Sequence, residues 1–449
     1  MATVLLITSI LGGMISLLLL YRVVFTFIGF FWVKKWPEAK VDHEYAFMIA
    51  ARNEANVVGQ LISSILACDY DMNKVRIFVI ADNCTDNTAE VARNAGATVF
   101  ERFNKKLIGK GYALNYLMEK IHESEPDYNP EGFVIFDADN LLDKNWIKEM
   151  NKAFDAGEEV ISSLRNGKNF DTNWISAVGC MSVMRDCRFM HGPRAYLGLC
   201  SNVTGTGWMV KNTILNFETG FPYHEICEDA QFTLDSLIKG HKLTYQDAAV
   251  FYDENPTKLK VVYKQRLRWH KGKYINLHLF AGTLFKKMFT SKKDKFSFYD
   301  QFVSIMPLDV ISVLLLAFNV LYPIINGICL MVGGLAVGAG IWYIVQTLLI
   351  LFASTYLGIF VYGVLMTIKD WKRMAASRKS KIVSMFMYPL FMIAIMPVPI
   401  IALFKRVRWV PIPHEDVRTI HDQNVILELS NKEDESVKKN SDKIKAVKS

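Results

Sequence analysis

The sequence predicts an α/β domain that lies between membrane-crossing helices. Over residues 45–252, short runs rich in Ile, Val and Phe alternate with helical stretches, which is typical of a largely parallel sheet. Hydrophobic residues make up 51% of the 449 residues, and the apolar excess lies at the two ends of the chain. The ends therefore predict membrane segments, and the middle predicts a soluble domain.

An almost unbroken apolar segment opens the chain. Residues 4–31 are mostly Leu, Ile, Val, Phe and Gly, and this length is enough to cross a hydrocarbon layer of about 30 Å. We expect a transmembrane helix over residues 1–33. Basic residues follow it, so the positive-inside rule places the chain from about residue 41 in the cytosol. These basic residues are Lys34, Lys35 and Lys40.

The predicted soluble domain spans residues 41–275 and contains four clear strands joined by helices. Polar motifs follow these strands, and loops at the carboxyl ends of strands are where open α/β sheets bind ligands. The sequence therefore predicts a ligand site at that edge of the sheet. The predicted strands are residues 45–51, 76–82, 97–102 and 132–139, and the predicted helices are residues 54–66, 88–94 and 112–121.

The second apolar region leaves the number of membrane crossings open. We expect an interfacial segment over residues 276–301 and membrane segments over residues 302–404. Residues 382–404 are either another crossing or an element broken by prolines at the interface. A crossing there would place the basic tail of residues 405–449 outside, against the positive-inside rule. The polar end of this tail, from residue 431, is expected to be disordered.

The charge pattern argues against a nucleic-acid partner. The formal net charge is +8, but the basic excess lies largely beside the apolar segments and in the tail, where it favours the cytosolic face and anionic lipid. Basic and aromatic residues do not alternate as they do in a base-stacking platform. The seven cysteines contain no CxxC pair, which fits a reducing compartment better than a disulfide framework or a zinc knuckle.

The most informative motif is FDADN, residues 136–140, in which an apolar strand ends in two aspartates. Side chains on a strand alternate between faces, so Asp137 and Asp139 are expected to point the same way. Two carboxylates at a strand end suit Mg²⁺ or Mn²⁺, which take oxygen ligands and often share them with substrate phosphates. An ordinary acidic turn is the alternative for this motif taken alone.

Two motifs upstream suggest contacts with a nucleotide. Asp82 ends its predicted strand, where a carboxylate can accept hydrogen bonds from a base or a ribose, whereas Asp86 is better explained as a helix cap. Glycines flank Lys110 just before a helix, and this arrangement allows a phosphate to approach closely. A short glycine turn is weak evidence by itself.

An acid pair and an aromatic turn follow later in the chain. Glu228 and Asp229 begin a predicted helix, where acids are commonly structural. The functional alternative makes Asp229 a general base that takes a proton from an acceptor hydroxyl. The turn of Gly205, Thr206 and Trp208 is either an acceptor floor, on which the indole stacks, or a buried packing turn.

The stretch QRLRWHKGK, residues 265–273, combines an amide, two guanidinium groups and an indole. Arg268 can pair with a diphosphate, and Trp269 can offer an aromatic wall to a sugar ring. The alternative is a basic amphipathic helix that lies on the membrane surface.

Taken together, these motifs resemble those of the processive, membrane-integrated glycosyltransferases of family 2, which include cellulose, chitin and hyaluronan synthases. The likeness covers about residues 45–273 and rests on four motifs in order. Stretches such as ADNCTDNT and GKGYAL resemble the bacterial cell-wall or exopolysaccharide type. Two positions depart from the usual pattern, Ala81 in the first motif and Cys227 before the acid pair. The motifs are Asp82, the DxD pair Asp137 and Asp139, the ED pair Glu228 and Asp229, and the QxxRW set Gln265, Arg268 and Trp269.

The resemblance implies a GT-A fold and an inverting transfer from a nucleotide-diphosphate sugar, with a UDP-sugar favoured, to a growing glycan. It also implies a cation on Asp139, Asp229 as the base, and the QxxRW residues at the diphosphate and acceptor end. A transferase that adds one sugar to a membrane lipid is the close alternative. A transporter or receptor with a nucleotide-sensing domain is the alternative from another class, although the apolar segments lack paired repeats.

Overall fold

The computed structural model describes residues 2–407 and 414–448, and a mixed sheet of eight strands forms its centre. Side chains on both faces of the sheet are buried, as expected for a sheet that is covered by helices on both sides. They are β1 (Tyr45–Ala51), β2 (Val75–Asp82), β3 (Thr98–Arg102), β4 (Gly132–Asp137), β5 (Leu141–Leu142), β6 (Val160–Gly167), β7 (Trp208–Lys211) and β8 (Leu243–Asp253).

The strand order is β3-β2-β1-β4-β7-β6-β8-β5. Strands β1 to β4 run parallel, β7 is antiparallel to both β4 and β6, and β6 is parallel to β8. The α/β class and the four strands predicted from the sequence are therefore confirmed. The largest difference in a strand boundary is at β4, which ends at Asp137, so that Asp139 lies in the turn that follows.

Helices cover both faces of the sheet, and two further helices come before the first strand in the sequence. One core joins Phe47 and Phe136 to Trp146, and the other joins Phe78 and Phe133 to Trp208. The helices up to the last strand are α1 (Ala2–Leu19), α2 (Tyr21–Phe31), α3 (Val58–Leu66), α4 (Thr88–Asn94), α5 (Lys110–Ser124), α6 (Trp146–Asp155), α7 (Trp174–Asp186), α8 (Gly192–Tyr196) and α9 (Glu228–Lys239).

The chain after β8 is helical and departs from the sequence prediction at two points. A single helix crosses the expected boundary at residues 275/276, and the tail is helical from Ile420 to Lys448 where disorder was expected from residue 431. These helices are α10 (Leu259–Thr290), α11 (Lys295–Ile305), α12 (Leu308–Val332), α13 (Val337–Asp370), α14 (Arg378–Ile395), α15 (Val398–Phe404) and α16 (Ile420–Lys448).

Within the described residues, four helical segments are long and apolar enough to cross a membrane: Leu6–Phe31, Leu308–Val332, Val337–Arg373 and Arg378–Phe404. The last one is broken between α14 and α15 at Met396–Pro397. Its first part packs on α7 of the sheet domain and its second part packs on α10. Candidate membrane-crossing helices therefore lie at both ends of the chain, where the sequence predicts membrane segments.

Candidate active site

A cavity of about 710 Å³ opens at the carboxyl ends of β1, β2 and β4. Three parts of the chain meet there: the strand ends, the amino end of α9 and the middle of α10. Most of the site residues predicted from the sequence line it, although they come from motifs far apart in the chain. These are Asp82, Lys110, Asp137, Asp139, Gly205, Glu228, Asp229, Gln265, Arg268 and Trp269.

The DxD turn is held from below by a buried network of hydrogen bonds. Thr206 Oγ1 accepts the amide N–H of Asp137 at 2.8 Å and donates to Oδ1 of Asn140 at 2.5 Å. Asn140 donates in turn to Asp253 at 2.8 Å. Strand alternation does not explain why both aspartates reach the cavity, because Asp139 lies beyond the strand. The anchored turn positions its carboxylate instead.

Lys110 compensates the charge of the first aspartate. Its Nζ donates to Oδ1 of Asp137 at 2.5 Å and to the backbone oxygen of Gly205 at 2.7 Å. Burial alone would raise the pKa of Asp137, but Lys110 outweighs that effect and holds this pKa below its usual value. Lys110 therefore forms an ion pair within the site, where the sequence suggested a contact with phosphate.

The glycine after Lys110 has a packing role. A Cβ atom at Gly111 would lie 1.8 Å from the backbone oxygen of Tyr223. Only glycine therefore allows α5 to pack this closely against the loop that contains Tyr223. The sequence suggested that a phosphate approaches these glycines, and the group that lies close to Gly111 is the backbone of Tyr223.

Asp82 occupies the end of β2 and is buried beside a cation. Arg102 donates to its Oδ1 at 2.6 Å, and the side-chain amide of Asn83 donates to the same oxygen at 2.9 Å. Asn83 adopts a left-handed backbone conformation with φ of 55°, which turns the chain sharply after the strand. The carboxylate of Asp82 is therefore fixed at the wall of the cavity.

Glu228 and Asp229 occupy the first turn of α9, where the positive end of the helix dipole favours carboxylates. Burial and the neighbouring charge of Asp229 raise the pKa of Glu228 to about 7. Asp229 Oδ1 accepts the amide N–H of Ala230 at 2.8 Å, which orients its carboxylate. Both acids line the cavity, as the functional alternative requires.

Helix α10 brings the QxxRW residues to the cavity and packs against the acid pair. Trp269 also contacts Arg266, whose guanidinium carbon lies 4.8 Å from the centroid of the indole. The two helices approach closely at Gly272, where a Cβ atom would lie 2.3 Å from Sγ of Cys227. The unusual residue before the acid pair is thus part of the contact between α9 and α10.

The aromatic turn is mostly a packing element, which corrects one sequence expectation. Gly205 lines the cavity, but Thr206 is 2% exposed and Trp208 is 1% exposed. The indole of Trp208 packs on Phe232 with ring centroids 4.8 Å apart, within the core that lies against α5 and α9. Trp208 therefore has no surface to offer an acceptor, because it begins the buried strand β7.

Two residues that sequence reasoning missed stand beside the second aspartate. Both carboxylate oxygens of Glu54 lie within 3.1 Å of Nδ1 of His414, and Nε2 of the same ring lies 3.6 Å from Oδ2 of Asp139. Burial alone would lower the pKa of His414, but Asp139 and Glu54 outweigh it and raise that pKa to about 10. Glu54 follows β1, so the strand-end rule would have found it.

A buried ion pair lies beneath the same carboxylates. Arg165, on β6, donates to Oδ2 of Asp253 at 2.6 and 2.9 Å. Burial, opposed by Arg165, raises the pKa of Asp253 to about 6. The pair ties the ends of β6 and β8 to the DxD turn through Asn140.

The residues around the DxD turn fit a divalent cation that shares its ligands with a substrate. Asp137 and Asp139 supply carboxylate oxygens, the ligands that Mg²⁺ and Mn²⁺ prefer. Their charge is compensated here by Lys110 and His414, which shows that the site accommodates positive charge. Among the described residues, no group of three or more His, Cys, Asp or Glu side chains is arranged to hold a metal by itself.

The fold and its cavity define a GT-A glycosyltransferase, a class that takes sugars from nucleotide donors. The chain belongs to glycosyltransferase family 2: the profile described as "Glycosyltransferase like family 2" matches residues 43–272. The resemblance seen in the sequence is thereby confirmed. It extends over the whole α/β domain and includes all four motifs.

Similar proteins agree with this assignment. A probable glycosyltransferase, YdaM of Bacillus subtilis, is 23% identical over 270 residues, which cover 57% of this chain and 61% of YdaM. A poly-beta-1,6-N-acetyl-D-glucosamine synthase of Staphylococcus aureus is 24% identical over 273 residues, which cover 57% of this chain and 62% of the synthase. The match thus spans about three fifths of each relative.

A solved structure shares the fold over most of the chain. The mannosyltransferase PcManGT from Pyrobaculum calidifontis, determined with GDP-Man and Mn²⁺, superposes with a TM-score of 0.50 at 13% identity. The superposition covers 88% of this chain and 99% of PcManGT. The likeness therefore includes helical segments outside the α/β domain.

Proposed function

We propose that this protein is an inverting glycosyltransferase that moves a sugar from a nucleotide-diphosphate donor, with a UDP-sugar favoured, to a growing glycan of the cell wall or cell exterior. One observation carries the proposal: the DxD pair, the ED pair and the QxxRW residues line a single cavity. The S. aureus relative named as a poly-beta-1,6-N-acetyl-D-glucosamine synthase supports a polysaccharide product.

In the proposed reaction, Asp229 takes the proton of an acceptor hydroxyl as the oxygen attacks the anomeric carbon. Attack opposite the leaving group in one displacement inverts that carbon. Asp139 and Asp137 would hold a divalent cation, which would compensate the charge of the departing nucleotide diphosphate. Arg268 and Gln265 add fixed donors on the other side of the diphosphate, so no protonated acid is needed there.

The other cavity residues position the two substrates. Asp82 is held by Arg102 at the end of β2, where it can accept hydrogen bonds from the nucleoside. Trp269 offers its ring face to a sugar, and Gly205 leaves room for the acceptor beside Asp229. Glu228 precedes Asp229 in the first turn of α9 and lines the same cavity.

A screen of nucleotide sugars tests the proposal. The purified full-length chain is incubated with UDP-, GDP- and ADP-sugars and with Mg²⁺ or Mn²⁺, and released nucleoside diphosphate is measured. We expect release from one sugar or a small set, lost on chelation of the metal. If no nucleotide sugar gives release above the Asp229→Asn variant under any of these conditions, the proposal is wrong.

The acceptor decides between a polysaccharide and a single transfer to a lipid. The cavity reaches Ser304 and Ile305 at the end of α11, next to the apolar helix α12, so a membrane-bound acceptor also fits. Gel analysis of the radiolabelled product separates the two. A ladder or smear supports the growing glycan, whereas a single labelled glycolipid supports the lipid acceptor.

We also propose that the α/β domain lies in the cytosol and that α14 and α15 do not cross the membrane. Lys381, near the start of α14, donates to Ser430 of α16 at 2.8 Å, and residues after α15 contact Glu54 and Glu254 of the α/β domain. Both ends of the broken segment therefore lie on the side of the α/β domain. In the proposed topology the basic tail stays on the cytosolic side, as the positive-inside rule expects.

Cysteine labelling in intact cells tests this topology. Leu335→Cys, between α12 and α13, is expected to react with a membrane-impermeant maleimide added outside. Lys405→Cys, after α15, is expected to react only after the cells are opened. Labelling of Lys405→Cys from outside would show that the last segment crosses, and the topology would be wrong.

A further inference from the structure

One charged side chain lies inside the first apolar segment. Arg22 carries the only full charge between Leu6 and Phe31, which form a candidate membrane crossing. It follows the break between α1 and α2, which falls at Leu20. A charge within a membrane segment is costly to keep there, so Arg22 points to a function and to a partner that compensates it.

The contacts of Arg22 are with hydroxyl groups. Its Nε donates to Oη of Tyr21 at 3.3 Å, and its Nη2 donates to Oγ of Ser304 at 3.4 Å, both longer than a charge-assisted hydrogen bond usually is. The hydroxyl of Tyr21 itself donates to Asp300, whose carboxylate is already bound by the buried Arg194. Within the residues that the structure describes, no carboxylate pairs with Arg22. Its guanidinium group can therefore still bind an anion.

Ser304 connects Arg22 to the end of the cavity that lies nearest the membrane. It lines the cavity in the last turn of α11, just before the apolar helix α12 begins at Leu308. Two basic side chains of α10, His270 and Lys273, also line the cavity. Both approach the first turn of α12, so they belong to the same end.

A single carboxylate serves the two basic residues of α10. Asp309, the second residue of α12, has one oxygen 3.0 Å from Nζ of Lys273 and the other 3.1 Å from Nδ1 of His270. Burial lowers the pKa of Lys273, Asp309 opposes this effect, and the positive charge of Arg22 lowers the pKa further. Lys273 and Arg22 are therefore close enough to repel each other, and one carboxylate does not neutralise both.

We propose that this end of the cavity, which we name the mouth, binds the phosphate group of a membrane lipid. Arg22 and Lys273 supply positive charge and N–H donors, and Ser304 supplies a hydroxyl donor, which together suit the acceptor oxygens of a phosphate. Lipid phosphates lie at the bilayer face, where α12 begins. The inference goes beyond the proposed function, since it holds whether or not the lipid receives the sugar. The mouth comprises Arg22, His270, Lys273, Ser304 and Asp309.

The alternative is that Arg22 only extends its charge to the water at the bilayer face, as long basic side chains near the ends of membrane helices do. Lys273 would then have no part in lipid binding, because it belongs to α10, outside the candidate membrane crossings. The affinity of a Lys273 variant for a lipid phosphate separates the two roles.

Equilibrium lipid binding to the purified full-length chain in maltoside micelles tests the proposal. Saturating UDP with Mg²⁺ fills the donor site, and the probes are dioleoyl phosphatidylglycerol and dioleoylglycerol, which share their acyl chains. We expect the wild type to prefer the phospholipid, and Arg22→Gln and Lys273→Gln each to lower its affinity about tenfold, because each removes a charged hydrogen-bond donor. The control Lys264→Gln changes an exposed lysine of the same helix and should keep the affinity.

A third probe, a polyprenyl phosphate, identifies the source of the phosphate. Tighter binding of this probe than of phosphatidylglycerol, with transfer of labelled sugar to it, identifies the lipid as the acceptor. Tighter binding of phosphatidylglycerol, without transfer, identifies the headgroup of a bulk phospholipid. Both results support a phosphate site at the mouth.

Three results overturn the inference. The first is equal affinity of the wild-type chain for phosphatidylglycerol and dioleoylglycerol, which needs no variant, so a folding defect of a variant leaves the inference testable. The second is wild-type affinity in Lys273→Gln, and the third is an equal loss in Lys264→Gln, which would reflect general surface charge. Because the measurement is one of binding, absence of turnover in the screen of nucleotide sugars would refute the proposed function alone.

Discussion

The two walls of the cavity differ in charge and in origin. The sheet wall carries carboxylates at or just beyond strand ends, whereas the helix wall carries the cationic and aromatic side chains of α10. The sheet wall comprises Glu54, Asp82, Asp137, Asp139 and Asp253, and the helix wall comprises Gln265, Arg266, Arg268 and Trp269.

This difference suggests how one cavity can hold a donor of high charge. A cation is attracted to the acidic wall, and the diphosphate that binds this cation is attracted to the basic wall. The acidic wall alone would repel the diphosphate, and the basic wall alone would repel the cation. Asp229 lies at the start of α9, which packs between the sheet and α10. The proposed base therefore lies where the two walls meet.

The largest effect is expected at that junction. Asp229→Asn should lower transfer by about 10³-fold, because the acceptor hydroxyl loses its proton acceptor, while UDP affinity stays within a factor of two or so. Turnover and nucleotide binding are measured on the same preparation. Asp235→Asn is the matched control on the same helix, where Asp235 binds the hydroxyl of Tyr223 away from the cavity. Near-normal turnover of Asp229→Asn would remove it as the base.

Two tryptophans, Trp208 in the core and Trp269 on the helix wall, are expected to have different roles. Trp208→Ala should lower the free energy of unfolding by about 3–5 kcal/mol, because it empties a buried site beside Phe232. Trp269→Ala should change thermal stability little and reduce transfer strongly, because its ring faces the cavity. Thermal unfolding and turnover of both variants check the contrast. Equal stability losses would show that Trp269 is also a core residue.

The helix wall itself is tested at Arg268. Arg268→Ala should lower kcat/KM by about 10²-fold, because a fixed cation beside the departing diphosphate is lost. Lys264→Ala removes an exposed charge from the same helix and should have little effect. Donor kinetics at saturating acceptor give the comparison. Similar losses in the two variants would indicate a general effect of charge at the membrane surface.

The smallest effect is expected for Glu228→Gln, which should change the thermal stability of the protein in a way that depends on pH. The Glu228 pKa of about 7, raised by burial and by Asp229, lies above the ordinary value of 4.5, so the folded state binds this proton more tightly than the unfolded state does. The folded state is therefore favoured below pH 4.5 and loses this contribution as the pH rises through 7. Glu228→Gln should unfold at a higher temperature than the wild type at pH 8, and the gain should shrink at pH 5. A gain that is independent of pH would contradict the raised pKa.

The sheet wall could be predicted from the sequence because its residues obey a local rule. Carboxyl ends of parallel strands share one edge, so Asp82, Asp137 and Asp139 were expected to converge, and Glu54 obeys the same rule. Local patterns fail for contacts that depend on packing. Trp208 follows a glycine turn that suggested an acceptor floor, yet it begins a buried strand against α9.

The position of residues 414–419, which follow the last apolar helix, could not be predicted from the sequence. They lie within residues 405–449, which the sequence predicted to be a basic tail, and nothing in the residue spacing links His414 to Glu54. Their position results from docking onto Glu254, Lys168 and Asp171, which are scattered along the α/β domain. Such contacts become visible only in the folded chain.

The location of the cation and nucleotide tests the central claim most directly. Crystals of the full chain grown with UDP and Mn²⁺ would reveal the metal in an anomalous difference map. We expect a single Mn²⁺ peak against the Asp139 carboxylate, with the diphosphate between it and Arg268 and with Asp229 facing the position of the sugar. A peak away from Asp139, or a nucleotide bound outside the space between the two walls, would contradict the account.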